Sequence, residues 1–289
     1  MQQGVVLKNY GGFYYLQDQT GTIYECQLRG KIRTRIITGD RVTFTSLSED
    51  RGIIENVLPR ESELYRPKIA NVDTVLVVMA YDCPAPSLIL LDRLLILICF
   101  NRMEPIIVMN KSDLKAVPAA ETINTYYQNI GFTVLRTSTV TGTGLDVLPS
   151  LLHNKVTVLA GPSGSGKSSL LNALIRSLAI KTQEISRRIN RGRHTTRHVE
   201  LYPLDTGGWI ADAPGFGNLD LPAVEPVNLT DYFIEFVPFR ENCRFADCIH
   251  RNEKECGIKQ AVAEGFIAGF RYQNYLTLLD ELTDKERCY

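Results

Sequence analysis

Apolar positions fall into two regimes along the chain. Up to residue 60 they come in short runs, "GVVLKN", "GFYYLQ", "TIYECQLRG", "DRVTFTSL" and "GIIENVL", rich in β-branched and aromatic residues and divided by Gly or Asp turns. Such a succession of short strands predicts a small barrel, with the oligonucleotide/oligosaccharide-binding (OB) fold preferred over an SH3-like one. The polar stretch "PRESELYRPKIA" (59–70), with two prolines, is expected to be a linker. From residue 71 the runs become continuous: "DTVLVVMA" (73–80), "PIIVMN" (105–110), "TVLRTS" (133–138), "KVTVLAG" (155–161) and "GWIADAPG" (208–215). Helical segments are expected between them at 87–100, near 119–130, near 144–153 and from about 167. Strands buried on both faces that alternate with helices predict a mainly parallel sheet with helices on either side. After about 228 the strands stop, and helical spacing runs through Phe270, Tyr275, Leu278, Leu279 and Leu282. The expected organisation is a barrel at 1–64, an α/β domain at 65–228 and a mainly helical domain at 229–289.

Charge changes this picture only locally. Thirty-two basic residues balance thirty-two acidic ones, so overall charge points to no nucleic acid. "RRINRGRHTTRH" (187–198), however, holds five arginines and two histidines with no acid, a basic segment that is either a solvated loop or a surface for phosphates. The N-terminus lacks a charged region followed by an apolar core, so no secretory leader is expected. The most apolar stretch, 88–100, carries Asp92 and Arg93 and is too short to span a membrane. Seven cysteines, an odd number with one tight cluster, argue for a cytoplasmic protein with a metal site. Cys26, Cys83, Cys99 and Cys288 lie apart and are expected to be ordinary buried or terminal residues.

"GPSGSGKSS" follows an apolar strand and opens a helix, the setting a phosphate-binding loop requires. In Gly161, Pro162, Ser163, Gly164, Ser165, Gly166, Lys167, Ser168 and Ser169 the glycines would turn backbone N–H groups onto phosphates at a helix N-terminus. Lys167 would reach the β- and γ-phosphates, and Ser168 would bind Mg²⁺. "NKSD" ends a buried strand, where ligand loops gather in an α/β sheet. Asp113 would accept both donors of a guanine edge, Asn110 would hold the loop and touch the purine, Lys111 would pack along the ring, Ser112 belongs to the same GTP-binding set, and the backbone around Ser138 would approach guanine O6. An adenine would leave the buried carboxylate unpaired, a loss of roughly 1–3 kcal/mol. "DAPG" ends another strand, placing Asp212 on the Mg²⁺ side and the Gly215 N–H at the γ-phosphate. Either Thr195 or Thr196, with Thr196 preferred, would complete the metal shell.

The guanine reader precedes the phosphate loop here, which is a circular permutation of the usual order. A site made of loops at strand ends survives re-ordering, because it depends on where those loops lie in space. Phe216 occupies the position after the motif where many GTPases carry a water-orienting Gln. Slow intrinsic hydrolysis is therefore expected, completed by a partner or by a residue such as His194, although a loop histidine without a role is the preferred reading of that position. "DAPG" also leads almost directly into the last domain, so ordering of that loop by nucleotide could reach it. There, Cys243, Cys248, His250 and Cys256 supply the four ligands of a closed, structural Zn²⁺ site.

With "NKSD", "GPSGSGKSSLLNAL", "GRHTT", "DAPGF", a barrel before them and the Cys-Cys-His-Cys cluster after, the chain resembles the ribosome small-subunit-dependent GTPase A family over nearly its full length. The resemblance implies an OB-fold, a permuted P-loop GTPase domain and a zinc domain. It also implies GTP hydrolysis to GDP late in assembly of the 30S subunit, stimulated by that subunit, and a hydrophobic residue in place of the Gln, in agreement with Phe216. The expected partners are the small subunit, its rRNA and GTP or GDP, with no membrane and a monomeric chain. Tyr10, Phe13, Tyr14 and Tyr15 are either RNA-stacking aromatics or barrel core. A nucleotide-gated RNA-binding switch with incidental hydrolysis is the second reading, and an ATP-dependent enzyme with a chance "NKSD" the third.

Overall fold

The computed structural model describes residues 1–30, 33–65, 68–179, 199–212 and 220–287. Five strands, β1 (Gln2–Tyr10), β2 (Phe13–Asp18), β3 (Ile23–Leu28), β4 (Arg41–Ser46) and β5 (Arg51–Val57), close a barrel in the order β1-β2-β3-β5-β4. β3 and β5 run parallel and the other pairs antiparallel, with β1 meeting β4 to shut the barrel. Val6, Leu16, Cys26, Val42, Phe44 and Ile54 fill its interior. Tyr10 projects from the β1–β2 turn, 68% exposed, while Tyr14 packs against the barrel core. Of the four aromatics, Tyr10 is thus clearly surface.

The stretch expected to be a linker is instead built structure. β6 (Glu63–Tyr65) and β7 (Lys68–Ala70) form a hairpin, and Leu64 and Ile69 are buried in the same apolar cluster as the following sheet. Its polar composition is satisfied at the barrel: Arg60 pairs with the fully buried Asp40 at 2.7 Å.

The second sheet has six strands in the order β10-β9-β8-β11-β13-β12. β8 (Thr74–Ala80) is buried at every position because parallel neighbours flank it, β9 (Glu104–Asn110) on one side and β11 (Val156–Ala160) on the other. β10 (Thr133–Arg136) and β13 (Trp209–Asp212) extend it outward, and the edge strand β12 (Tyr202–Pro203), not foreseen from the pattern, pairs antiparallel with β13. Helix α1 (Leu88–Phe100) begins at Ser87, whose hydroxyl accepts from the Leu90 N–H at 3.3 Å. It is apolar nearly all round because it is sandwiched: Leu91, Leu94, Leu95 and Ile98 face the sheet, and Ile96 joins the C-terminal core.

α2 (Pro118–Thr122) continues as a wider π turn over Ile123–Tyr127. The expected helix near 144–153 shrinks to the single turn α3 (Leu148–Leu151), since Gly142 and Gly144 hold positive φ just before it. α4 (Lys167–Ala179) follows the phosphate loop. The C-terminal part consists of a 3₁₀ segment (Pro226–Tyr232), α5 (Val237–Arg240), α6 (Gly257–Ala263) and α7 (Gly269–Arg287). No helix among the described residues is long and apolar enough to cross a membrane.

A buried ion cluster fastens α7 to α1. Arg271 is 1% exposed and pairs with both Asp92 and Glu235. Its guanidinium lies 4.4 Å from the Phe233 ring centre. Tyr127 and Asn274 donate the remaining hydrogen bonds to Asp92, at 2.5 and 2.6 Å. Removing one member of such a cluster strands the others in low dielectric. Arg271→Met is expected to lower unfolding free energy in urea by about 3–5 kcal/mol, whereas Glu255→Gln, which breaks the exposed pair with Arg244, changes it by less than about 1 kcal/mol.

Candidate nucleotide site and metal cluster

The phosphate loop leaves β11 through Gly161, whose φ is +129°. A Cβ there would stand 2.2 Å from the Val78 carbonyl, so glycine is what lets the loop cross the end of β8. Gly166 is equally constrained: its φ is +95°, and a Cβ would lie 2.2 Å from Asn110 Nδ2. That close approach accompanies a direct bond. Asn110 Nδ2 donates to the Ser165 carbonyl at 3.0 Å, and Asn110 Oδ1 accepts from the Thr137 hydroxyl at 3.2 Å. One buried amide therefore ties the ends of β9, β10 and β11 together.

Around it the expected guanine-reading residues converge. Lys111 takes a left-handed backbone (φ +59°) and its ammonium donates to the Cys83 carbonyl. The Ser112 N–H bonds the Thr137 carbonyl at 3.0 Å. Ser138 is fully buried and donates its hydroxyl to Asp113, while accepting from the N–H groups of Val140 and Thr141 at 3.2 Å. The carboxylate is thus oriented from behind.

Pro162, Ser163 and Gly164 form the outer turn of the phosphate loop, with Gly164 against Pro84. Lys167 opens α4 and donates to the carbonyls of Gly161 and Pro162 at 2.9 and 2.8 Å. Partial burial lowers its pKa below the ordinary ammonium range, with Asp212 acting in the opposite direction. Ser168 meets Asp212 at 3.4 Å, and Ser169 follows on α4. The other carboxylate oxygen of Asp212 is buried without a hydrogen-bond partner among the described residues. An orphaned carboxylate oxygen beside a hydroxyl at the loop is a donor set that fits Mg²⁺ with its waters. His194, Thr195, Thr196, Gly215 and Phe216, with the basic segment, lie outside the described residues.

The second cluster is in the C-terminal part. Ligand atoms of Cys243, Cys248, His250 and Cys256 all lie within 4.8 Å of one another. Cys243 and Cys256 sulfurs are 3.9 Å apart, and His250 Nδ1 is 3.5 and 3.4 Å from them. A tetrahedron with metal–sulfur bonds of about 2.3 Å has sulfur–sulfur edges of about 3.8 Å, so the spacing suits one four-coordinate ion. Burial pushes the Cys248 thiol up to about 12 and the His250 imidazole down to about 4. Burial thus favours the neutral imidazole, the form that ligates a metal, and a bound cation would offset the burial cost of a Cys248 thiolate. Cys83, expected to be buried, is exposed on the loop beside the phosphate loop. Its carbonyl and Pro84 adjoin the candidate nucleotide site, as does Thr137. The sequence carried no signal for Cys83 and Pro84, since "YDCPAPS" matches no motif, whereas Thr137 was visible only as the neighbour of Ser138.

Comparison with known proteins assigns the family and the fold. The RsgA GTPase family profile matches residues 57–222, and that of the RsgA N-terminal domain matches residues 3–54. "Small ribosomal subunit biogenesis GTPase RsgA" of Carboxydothermus hydrogenoformans is 47% identical, covering 99% of both chains. The protein of the same name from Moorella thermoacetica is 44% identical, again over 99% of each. Among solved structures, YjeQ from Thermotoga maritima superposes with a TM-score of 0.82 at 37% identity, covering 98% of each chain. YloQ, described as a circularly permuted GTPase, gives 0.82 at 32% identity over 99% of this chain and 96% of its own.

Gly166→Ala tests the crossing of the two loops. It should weaken guanine-nucleotide binding by about ten-fold or more, through φ strain and the clash with Asn110, while Gly269→Ala, which meets nothing within 4 Å, leaves binding unchanged in the same titration.

Proposed function

The chain belongs to the RsgA GTPase family and hydrolyses GTP, and from that premise we propose that it serves maturation of the small ribosomal subunit. The observation that carries this reading is likeness along the whole chain, barrel and C-terminal part included, to relatives named for small-subunit biogenesis. The partners are then the small subunit, its rRNA and GTP or GDP, and the protein acts as a cytoplasmic monomer. The chain divides into a barrel at 1–64, a permuted GTPase domain at 65–228 and a zinc-binding domain at 229–289. The hairpin within 59–70 is the seam between the first two.

In the proposed mechanism Asp113, held by Ser138, accepts the guanine edge, and Asn110 keeps that reader against the phosphate loop. Backbone N–H groups of the loop from Ser163 to Ser169 face the phosphates. Lys167, which bonds two loop carbonyls, exchanges them for phosphate oxygens when nucleotide enters. Ser168, Asp212 and Thr196 would hold Mg²⁺, which when bound neutralises charge on the β- and γ-phosphates. Gly215 would meet the γ-phosphate. Phe216 offers no hydrogen bond to the attacking water, so the chain alone turns over slowly and the subunit, or a residue such as His194, completes water positioning. Zn²⁺ is the ion that three thiolates and one imidazole fit best, and with no open position its role is structural.

Three measurements test this. GTP turnover should be slow alone and rise by about ten-fold or more with purified 30S subunits; unchanged turnover would favour a nucleotide-gated RNA-binding switch. Asp113→Asn should exchange GTP preference for xanthosine triphosphate, as an ATP-dependent enzyme would not. Metal analysis should find one zinc per chain, lost in Cys256→Ser together with thermal stability of the C-terminal part.

A further inference from the structure

The segment leading to Asp212 is clamped onto the barrel. The Thr38 hydroxyl donates to the Val199 carbonyl at 3.0 Å. Lys8 pairs with Glu200 at 2.6 Å. The Leu201 N–H donates to the Leu7 carbonyl at 2.9 Å, and Leu201 is 1% exposed. From there the chain turns through β12 into β13, where Trp209 Nε1 donates to Gln17 Oε1 at 2.7 Å. All four barrel residues come from β1, β2 and the loop before β4, and residues 199–212 touch them at both legs of one small hairpin.

The far end of that hairpin is the nucleotide site. Asp212 ends β13 three residues after Trp209, a rise of about 10 Å along a strand, and faces Ser168. A lone surface ion pair would contribute at most about 1 kcal/mol. Here, however, a buried backbone bond and a buried threonine fix the register, and a one-residue slip would turn Asp212 to the other face of the sheet.

We propose that the barrel is a working part of the GTPase: Lys8, Gln17 and Thr38 are positioning residues that hold Val199–Asp212 and thereby set affinity for GTP relative to GDP. This rests on the reading of Asp212 as the Mg²⁺-side carboxylate. GDP rests on the guanine reader and on the Gly161–Ser169 loop, which meets the hairpin through the Ser168–Asp212 contact at 3.4 Å, so its affinity depends on the clamp far less than that of GTP does. The γ-phosphate is read from the end of β13, so the clamp acts on GTP. By linkage, a partner that alters the barrel's hold on this hairpin changes GTP affinity, and GTP changes the partner's affinity by the same factor.

The test uses the full chain with Mg²⁺, comparing fluorescent GDP with a non-hydrolysable GTP analogue. Lys8→Met, Thr38→Val and Gln17→Leu combined should weaken the analogue about ten-fold, with GDP affinity kept within about two-fold and basal kcat reduced. Lys8→Glu should show the same selective loss, and adding Glu200→Lys should restore it. The chain's single tryptophan is Trp209, so its emission should shift with the analogue and not with GDP. Analogue affinity unchanged in the triple variant, or GDP and analogue affinities falling together, would overturn the proposal. If the unaltered chain binds neither nucleotide, the functional reading fails with it, and that result is distinct because it precedes any substitution.

Discussion

The candidate nucleotide site depends on one buried amide. Asn110, at the end of β9, reaches past β8 to bond the Ser165 carbonyl after β11, and takes the Thr137 hydroxyl after β10 on its other side. Each bond contributes about 1 kcal/mol net, but leaving either partner buried and unpaired costs about 1–3 kcal/mol, so each loop stabilises the placement of the other two. Gly166 is the geometric counterpart, since any side chain there would occupy the space the amide uses. This explains why chain order is immaterial. The loops are joined in space by a hydrogen bond, and β8, β9 and β11 can be threaded in any order that preserves their parallel neighbours.

The permutation leaves the two flanking parts attached at different points of the same sheet. The barrel holds the hairpin that ends at Asp212. The C-terminal part is fastened by Arg271 to Asp92 in α1, and α1 begins immediately after the loop in which the Cys83 carbonyl meets Lys111 and Pro84 meets Gly164. The last domain thus has a described route to the phosphate loop through α1, besides the chain connection after Asp212 that the sequence brings to mind.

Much of this was legible in the sequence for definite reasons. The barrel strands and the buried parallel strands follow from periodicity, and the phosphate loop from glycine spacing after an apolar run. The four candidate metal ligands lie within one short segment, so their meeting in space was foreseeable. What was not legible is long-range or compensated. The hairpin within 59–70 reads as polar because Arg60, besides pairing with Glu63 inside the stretch, is partnered by the distant, buried Asp40, which the pattern does not reveal. Asp92 reads as a blemish in an apolar helix until Arg271 is placed beside it. The helix near 144–153 was overestimated because propensity ignores the left-handed turns that delay its start. The clamp between Lys8 and Glu200 joins distant segments and leaves no local signature.

The most direct measurement is a crystal structure of the chain with GDP. One nucleotide should lie with its purine edge on Asp113 and its phosphates on the backbone from Gly161 to Ser168, spanning the Asn110–Ser165 bond. A base bound away from Asp113, or phosphates held elsewhere while that bond stays intact, would contradict the account.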